Sequence, residues 1–148
     1  MRRFLFDTNV FVYALGGPSS YREPCRAIVG HAAAGRVRGE ASADLVQEFV
    51  HQRMRQIGDR ELAVAAARHV ATLCHLHDVK ASDVTLALWL FETHERVTAR
   101  DATFAAVALN RGLDAILSAD RDFDEIPGIE RIDPRDEARV RTLLGQAA

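Results

Sequence analysis

Four acidic residues stand where apolar runs end or helices begin, and they are the residues of this chain best suited to chemistry. Asp7 follows the first apolar run and Asp120 follows a later one, whereas Glu48 and Asp101 lie in helical segments. Strand ends in α/β folds converge on one crevice, where ligands bind. We therefore expect these carboxyl groups to meet there. Carboxylate oxygens suit a hard divalent cation, so the pattern points to a metal-dependent nuclease.

Two of these acids also have a purely structural explanation. Asp7 could serve only as a helix N-cap, which is common for aspartate after a strand. Thr98 and Asp101 resemble a capping box, in which the acid normally faces water. However, Phe104 and Ala108 follow Asp101 by three and seven residues, which places Asp101 within the apolar stripe of its helix. A carboxylate facing the core is costly without a counter-charge, and a metal ion is a natural partner.

The sequence says less about the roles of the other two acids, Glu48 and Asp120. Glu48 lies at the border of the apolar face of its helix, where it could be a ligand or a solvated residue. Asp120 is the expected fourth acid because it is closest to the strand end, with Asp122 and Asp124 as alternatives in what could be a solvated turn. Asn9 could orient the neighbouring carboxylate or cap the same helix. Two carboxylates about 5 Å apart repel by roughly 3 kcal/mol at an effective dielectric near 20, so converging acids need a cation or raised pKa values.

Composition constrains the fold and the function less than these acids do. The length of 148 residues predicts one domain, residues 1–148, and the net charge of −2 gives no global attraction for nucleic acid. Eighteen of the 19 basic residues are arginines, which suits phosphate recognition but also follows from GC-rich codon usage. Cys25 and Cys74 form no metal or redox motif, and neither a secretion signal nor a membrane span is evident. We therefore expect a cytoplasmic protein.

The segments that position the acids alternate short apolar strands with longer helices. Strands are predicted at residues 3–6, 36–41, 115–117 and 129–132, with a weak strand or connector at 78–81. Helices are predicted at 10–15, 24–34, 62–76, 84–91 and 98–110, with another between Ser42 and Gly58 and a terminal helix from 133–134. Ser42, Asp59 and Ser82 are expected to begin helices, and helix 84–91, apolar almost all round, is expected to be buried. The alternation predicts an α/β fold with a mainly parallel sheet.

At this level of detail the chain resembles the PIN-domain family and, within it, the VapC toxins of bacterial toxin–antitoxin pairs. The resemblance extends over nearly the whole chain, and its motifs are Phe4-Leu5-Phe6-Asp7-Thr8-Asn9, Val46-Gln47-Glu48-Phe49, the segment 98–108 followed by Gly112, the segment 116–123, and Asp133-Pro134. The most specific of these is the segment 98–108. The resemblance rests on the order and spacing of the whole set.

The resemblance implies a three-layer PIN-like fold, in which helices flank a central, mainly parallel sheet. It implies Mg²⁺, with Mn²⁺ as a possible substitute, held by Asp7, Glu48, Asp101 and Asp120, with Asn9 and Ser118 as supporting polar groups. It also implies an endoribonuclease directed at single-stranded RNA. The expected partners are a second copy of the chain and a small VapB-type antitoxin whose tail enters the acidic groove.

The ligand chemistry agrees with this implication. Ligands that are all oxygen select a hard cation over Zn²⁺. In-line attack by water would leave a 5′-phosphate and a 3′-hydroxyl. Arg100 and Arg121 adjoin two of the acids and are candidates to hold flanking phosphates, with salt-sensitive affinity, although both could be solvated surface residues.

Three other functions are compatible with parts of the pattern. A phosphoryl-transfer enzyme or receiver domain also gathers acids at strand ends, but it needs Asp where this chain has Asn9, or a lysine after a late strand, for which Lys80 is badly placed. A PIN module that binds metal or RNA without cleaving is a second alternative. The third is an RNA-processing nuclease with no toxin role.

Overall fold

Five parallel strands form the centre of the structure, a computed structural model that describes residues 2–146. The strands are β1 (Leu5–Phe6), β2 (Gly39–Ser42), β3 (Cys74–His77), β4 (Ala115–Leu117) and β5 (Glu130–Ile132). They lie in the order β3-β2-β1-β4-β5, and every neighbouring pair is parallel. The chain adds β2 and β3 on one side of β1 and then crosses to add β4 and β5 on the other. The winding therefore reverses between β1 and β4, and ligands bind parallel sheets at the carboxyl ends of such strands.

Helices flank this sheet and confirm the predicted α/β fold. Within residues 2–146 they are α1 (Thr8–Leu15), α2 (Arg22–Ala33), α3 (Asp44–Ile57), α4 (Arg60–Leu73), α5 (Ala81–Thr93), α6 (Ala99–Asn110) and α7 (Glu137–Leu143), with a 3₁₀ turn at Arg121–Glu125. Helix α1 packs against α2 and α3, α3 packs against α4, and α5 packs against α6. No helix among the described residues is both long enough and apolar enough to cross a bilayer.

The central strands are apolar because both faces of the sheet are covered. Phe4, Leu5 and Phe6 are fully buried, as is all of β4. At the start of β2 only glycine fits, since a Cβ on Gly39 would lie 2.0 Å from a ring carbon of Phe6. This close approach fixes how β2 lies beside β1, and with it the place where α3 begins.

The third strand is where prediction and structure differ most. Residues 74–77 form β3 and pair with β2, whereas the sequence predicted that a helix would continue to residue 76. Of the two alternatives for residues 78–81, a weak strand or a connector, the structure has the connector, and residue 81 begins α5. The helix was extended too far because β3 is an edge strand with only partly buried side chains. Pairing with the backbone of β2 holds β3 in place, and the apolar pattern does not reveal that pairing.

Three helix starts also differ from the prediction. Ser42 is the last residue of β2, and α3 begins after Ala43 without a side-chain cap. Ser82 lies inside α5, where the carboxylate of Asp83 instead accepts a 2.8 Å hydrogen bond from the backbone N–H of Lys80. The terminal helix begins only at residue 137, capped by Asp136. The predicted caps at Asp59 and Thr98 are confirmed, since each accepts a hydrogen bond from a backbone N–H three residues later.

Helix α5 was expected to be buried, and that expectation was wrong. Only Asp83, Ala87 and Leu90 are buried. The opposite side exposes four large apolar side chains, with relative exposures of 47% for Val84, 64% for Leu88, 54% for Trp89 and 50% for Phe91. Apolar residues on all sides of a helix indicate that its surface is shielded from water. They do not indicate whether the shielding residues belong to the same chain or to another.

Candidate metal centre

Asp7 lies at the carboxyl end of β1, directly beside the end of β4. Its backbone N–H donates to the carbonyl of Leu117 at 3.1 Å, which brings its side chain next to Ser118. The Ser118 hydroxyl donates to Asp7 Oδ2 at 2.5 Å, and Asn9 Nδ2 donates to the same oxygen at 3.0 Å. The backbone N–H of Thr8 donates to Oδ1 at 2.7 Å. Asp7 is therefore both the cap of α1 and a buried carboxyl group whose orientation is fixed from three sides.

Glu48 reaches the same region from the second turn of α3. Its side chain is only 13% exposed, so it is not the solvated helix residue that the sequence left open. The hydroxyl of Thr8 donates to Oε2 at 2.8 Å. Gln52 Nε2 and Arg100 Nη1 donate to Oε1 at 2.9 and 3.0 Å. Thr8 thus connects Glu48 to the first turn of α1, and Arg100 connects it to the first turn of α6.

Asp101 and Asp120 complete the group. Asp101 lies in the first turn of α6, where the Thr98 cap fixes its backbone, and its carboxyl group is close enough to that of Asp120 for each to act on the other. The backbone N–H of Asp120 donates to the Ser118 hydroxyl at 2.9 Å. Asp122 lies farther along the 3₁₀ turn, where its electrostatic neighbours are Asp120, Arg96 and Glu125. Asp120 therefore faces the other acids more directly than Asp122 does.

The pKa values show how strongly these acids act on one another. Burial, reinforced by the charges of Glu48 and Asp120, raises the pKa of Asp7 to about 7 despite the hydrogen bonds from Ser118 and Thr8. Burial also raises the pKa of Asp101 to about 8, and the charges of Asp7 and Asp120 add to the effect. Carboxyl groups that shift one another in this way share one region of low dielectric. The four acids singled out from the sequence are thus brought together.

The donor set is all oxygen, which is the donor type that a hard divalent cation prefers. No three His, Cys, Asp or Glu side chains within residues 2–146 are arranged around a common metal position. Glu48 is instead engaged by Thr8, Gln52 and Arg100. The four acids therefore fit such a cation by their chemistry, and the pKa values of about 7 for Asp7 and about 8 for Asp101 belong to carboxyl groups that a nearby cation would help to ionise.

Some residues of the site were not foreseen. Thr8, Gln52 and Asp44 adjoin Glu48. Burial raises the pKa of Asp44, with a further contribution from Glu48, although the Ser42 hydroxyl donates a hydrogen bond to it. The i, i+4 spacing of Gln52 from Glu48 could have revealed one of these contacts. The others depend on how α3 packs against α1 and β2.

A sequence model described as the PIN domain matches residues 4–129. Ribonuclease VapC7 of Mycobacterium tuberculosis is 37% identical over 143 residues, which cover 95% of this chain and 97% of that protein. The family predicted from the motifs is thereby confirmed.

Solved structures share the fold at lower identity. The DNA-bound VapBC complex of Salmonella typhimurium contains a chain with a TM-score of 0.67 and 20% identity, covering 90% of this chain and 99% of its own. VapC20 of Mycobacterium tuberculosis, described as a sarcin-ricin loop cleaving toxin, also has a TM-score of 0.67 and 20% identity, with coverage of 82% and 92%. At this level of identity the likeness concerns the fold.

Proposed function

The chain belongs to the PIN-domain family, and from this premise we propose that it is a metal-dependent endoribonuclease and the toxin of a type II toxin–antitoxin pair. The observation that carries the proposal is the mutual influence of Asp7, Asp101 and Asp120 beside Glu48 at the switch point of the sheet. The relatedness to a VapC ribonuclease over 95% of the chain supports the same reaction class. The substrate is RNA, and the bond hydrolysed is its phosphodiester.

Asp7, Glu48, Asp101 and Asp120 would hold the ion, and Mg²⁺ is the first candidate, with Mn²⁺ as an alternative. When bound, such an ion neutralises phosphodiester charge, activates an attacking water and stabilises the leaving oxygen. Ser118 and Asn9 act on Asp7, because their two hydrogen bonds to Oδ2 fix the direction in which Oδ1 points. Preorganisation of this kind keeps the carboxylate from rotating away when the site becomes charged.

Asp7 and Asp101 would also have to release protons when the ion binds. Asp7 and Asp101 have pKa values of about 7 and 8, so part of these carboxyl groups is protonated at neutral pH. A cation binds carboxylates rather than carboxylic acids, and its binding must expel these protons. We therefore expect the affinity for Mg²⁺ to rise with pH between about 6 and 8.

The proposed partners are inferred from the family and from one exposed apolar surface. A small VapB-type antitoxin is the proposed inhibitor, and the cytoplasm, which contains both RNA and antitoxin, is the proposed location. A second copy of this chain is the proposed cover for Val84, Leu88, Trp89 and Phe91 on α5, which together form an apolar surface open to water. Surfaces of this kind on soluble domains mark sites of protein association.

The decisive test is Asp101→Asn, compared with Asp78→Asn, an exposed aspartate outside the acid group. Expression of the wild-type chain should arrest growth and generate RNA fragments with new 5′-phosphate ends, which sequencing detects. Asp101→Asn should abolish both effects, and Asp78→Asn should retain them. EDTA should silence the purified protein, and Mg²⁺ or Mn²⁺ should restore it. Cleavage by Asp101→Asn at the wild-type rate would contradict the proposal, whereas metal binding without any cleavage would favour a silent PIN module.

A further inference from the structure

Two adjoining cavities extend away from the acids along the exposed side of α3. The first, of about 290 Å³, contains Glu48 and Asp44. The second, of about 440 Å³, continues between α3 and Val12 of α1. His51 and Arg100 line both cavities, so the two form one continuous depression. We call it the α3 groove and define it by Gln47, His51, Gln52, Arg55, Gln56 and Arg100.

The chemistry of the groove changes along its length. One end carries Asp44 and Glu48, of which Glu48 belongs to the proposed metal centre, whereas the far end carries Arg55 and the amides of Gln52 and Gln56. Arg55 is exposed and forms none of the ion pairs found among residues 2–146. Because Arg55 follows Glu48 by seven residues of helix, it lies roughly 10 Å farther along the axis. The far end therefore offers a free cation flanked by neutral hydrogen-bonding groups.

Arg100 stands at the junction between the two ends. Its guanidinium donates to Glu48 Oε1 at 3.0 Å, while its side chain remains 55% exposed. A cation held by Glu48 would compete with Arg100 for the same carboxylate. The guanidinium would then be available to another anion, and phosphate is an anion whose geometry it matches well.

We propose that the α3 groove is the binding site for the single-stranded RNA that flanks the scissile phosphodiester. Arg55 contacts a phosphate other than the one at the acids, and Arg100 contacts a phosphate between them. The amides of Gln52 and Gln56 donate to and accept from sugar hydroxyls or base edges, and the imidazole of His51 offers a surface on which a base can stack. The inference rests on the proposed nuclease function, and it accounts for how a chain of net charge −2 with an acidic centre retains a polyanion.

The observations favour RNA over a small molecule. The groove is a long depression with a polar lining rather than an enclosed apolar pocket, whereas small ligands prefer concave, mostly apolar sites. Arg100 and Arg55 line the groove beyond Glu48, so they mark one path by which a strand can leave the proposed metal centre. Single-stranded nucleic acid is typically held by such a track of positive charge combined with stacking groups.

Arg55→Gln tests the proposal, with Arg68→Gln as the matched control, since Arg68 is an exposed arginine on α4, outside the groove. Binding of a fluorescein-labelled 15-nucleotide single-stranded RNA of random sequence is measured by anisotropy in EDTA at several KCl concentrations. Loss of one phosphate contact should reduce the slope of log K against log salt by about 0.7. Arg55→Gln should show this reduction together with weaker binding, and Arg68→Gln should match the wild type.

The outcomes separate the groove from the nuclease. If the wild type cleaves RNA and only Arg55→Gln shows the reduced salt slope and a raised KM, the groove binds the flanking strand. If the wild type cleaves RNA but the two arginine variants bind with the same slope, the strand takes another path and the inference is wrong while the nuclease proposal stands. If the wild type neither binds nor cleaves RNA, both proposals fail.

Discussion

Replacing Asp7 with asparagine should stabilise the protein at pH 8 far more than at pH 5, provided that no divalent cation is present. Asp7 is 5% exposed, and burial raises its pKa from 3.8 to about 7. A carboxyl group with a raised pKa in the folded state holds its proton more tightly there than in the unfolded chain. The sign is therefore fixed, because stability is lost as the pH rises from 3.8 towards 7.

The magnitude follows from the two pKa values of Asp7. One pKa unit corresponds to about 1.4 kcal/mol, so the raised pKa of Asp7 lowers the free energy of unfolding by about 2 kcal/mol at pH 5, where only the unfolded chain ionises, and by about 4 kcal/mol at pH 8. Asparagine cannot ionise and carries neither cost. Its amide disturbs the hydrogen bonds from Ser118 and Asn9, but that disturbance is the same at both pH values. The benefit of Asp7→Asn should therefore grow by roughly 2–3 kcal/mol between pH 5 and pH 8.

Urea unfolding in EDTA at the two pH values measures this difference, provided that the slope of the transition does not change. Asp78→Asn, an exposed substitution of the same chemistry, should show no such growth. Adding Mg²⁺ at pH 8 should then stabilise the wild type, since a ligand of the folded state at 100 times its Kd adds about 3 kcal/mol, and should do little for Asp7→Asn. An equal effect of Asp7→Asn at pH 5 and pH 8 would refute the claim that the folded site retains this proton.

Three further predictions concern the scaffold. Asp83 is fully buried and pairs with Arg111 at 2.8 Å. Asp83→Ala should therefore lower the free energy of unfolding by about 3–5 kcal/mol. A loss below about 1 kcal/mol in urea titrations would show that the pair is dispensable. Gly39→Ala places a Cβ against the Phe6 ring and should cost about 1–3 kcal/mol or prevent folding, which thermal melts would reveal. Leu88→Glu should shift the sedimentation coefficient from that of a dimer to that of a monomer without changing the helical circular dichroism, and an unchanged sedimentation coefficient would exclude the α5 surface as the dimer interface.

Much of the fold could be predicted because its central strands have a distinctive sequence. Both β1 and β4 are uninterrupted apolar runs, as expected for strands covered on two faces. Strand β3 was missed because an edge strand needs only one buried face and a neighbour, and the neighbour is invisible in a local pattern. The exposure of α5 was missed for a related reason, since the apolar side chains of a core and of an interface are alike in sequence.

In the site, too, the positions of some acids could be predicted from the sequence, whereas the contacts of Glu48 could not. Asp7 and Asp120 follow adjacent parallel strands, so their proximity could be inferred from strand ends alone. Asp101 could be inferred from its place in an apolar stripe. The contacts of Glu48 could not, because they depend on the angle at which α3 crosses α1 and α6, and that angle is set by packing across many side chains.

These contacts also explain why the carboxyl groups do not already surround a common point. The guanidinium of Arg100 offsets the charge of Glu48 through a 3.0 Å hydrogen bond, and burial raises the pKa of Asp101 and so favours its protonated form. A cation bound to Glu48 would displace the guanidinium, which would then be able to bind a phosphate of the RNA. A phosphate bound by Arg100 would in turn leave Glu48 free for the cation. Metal and RNA should accordingly bind with positive cooperativity, because each separates Arg100 from Glu48.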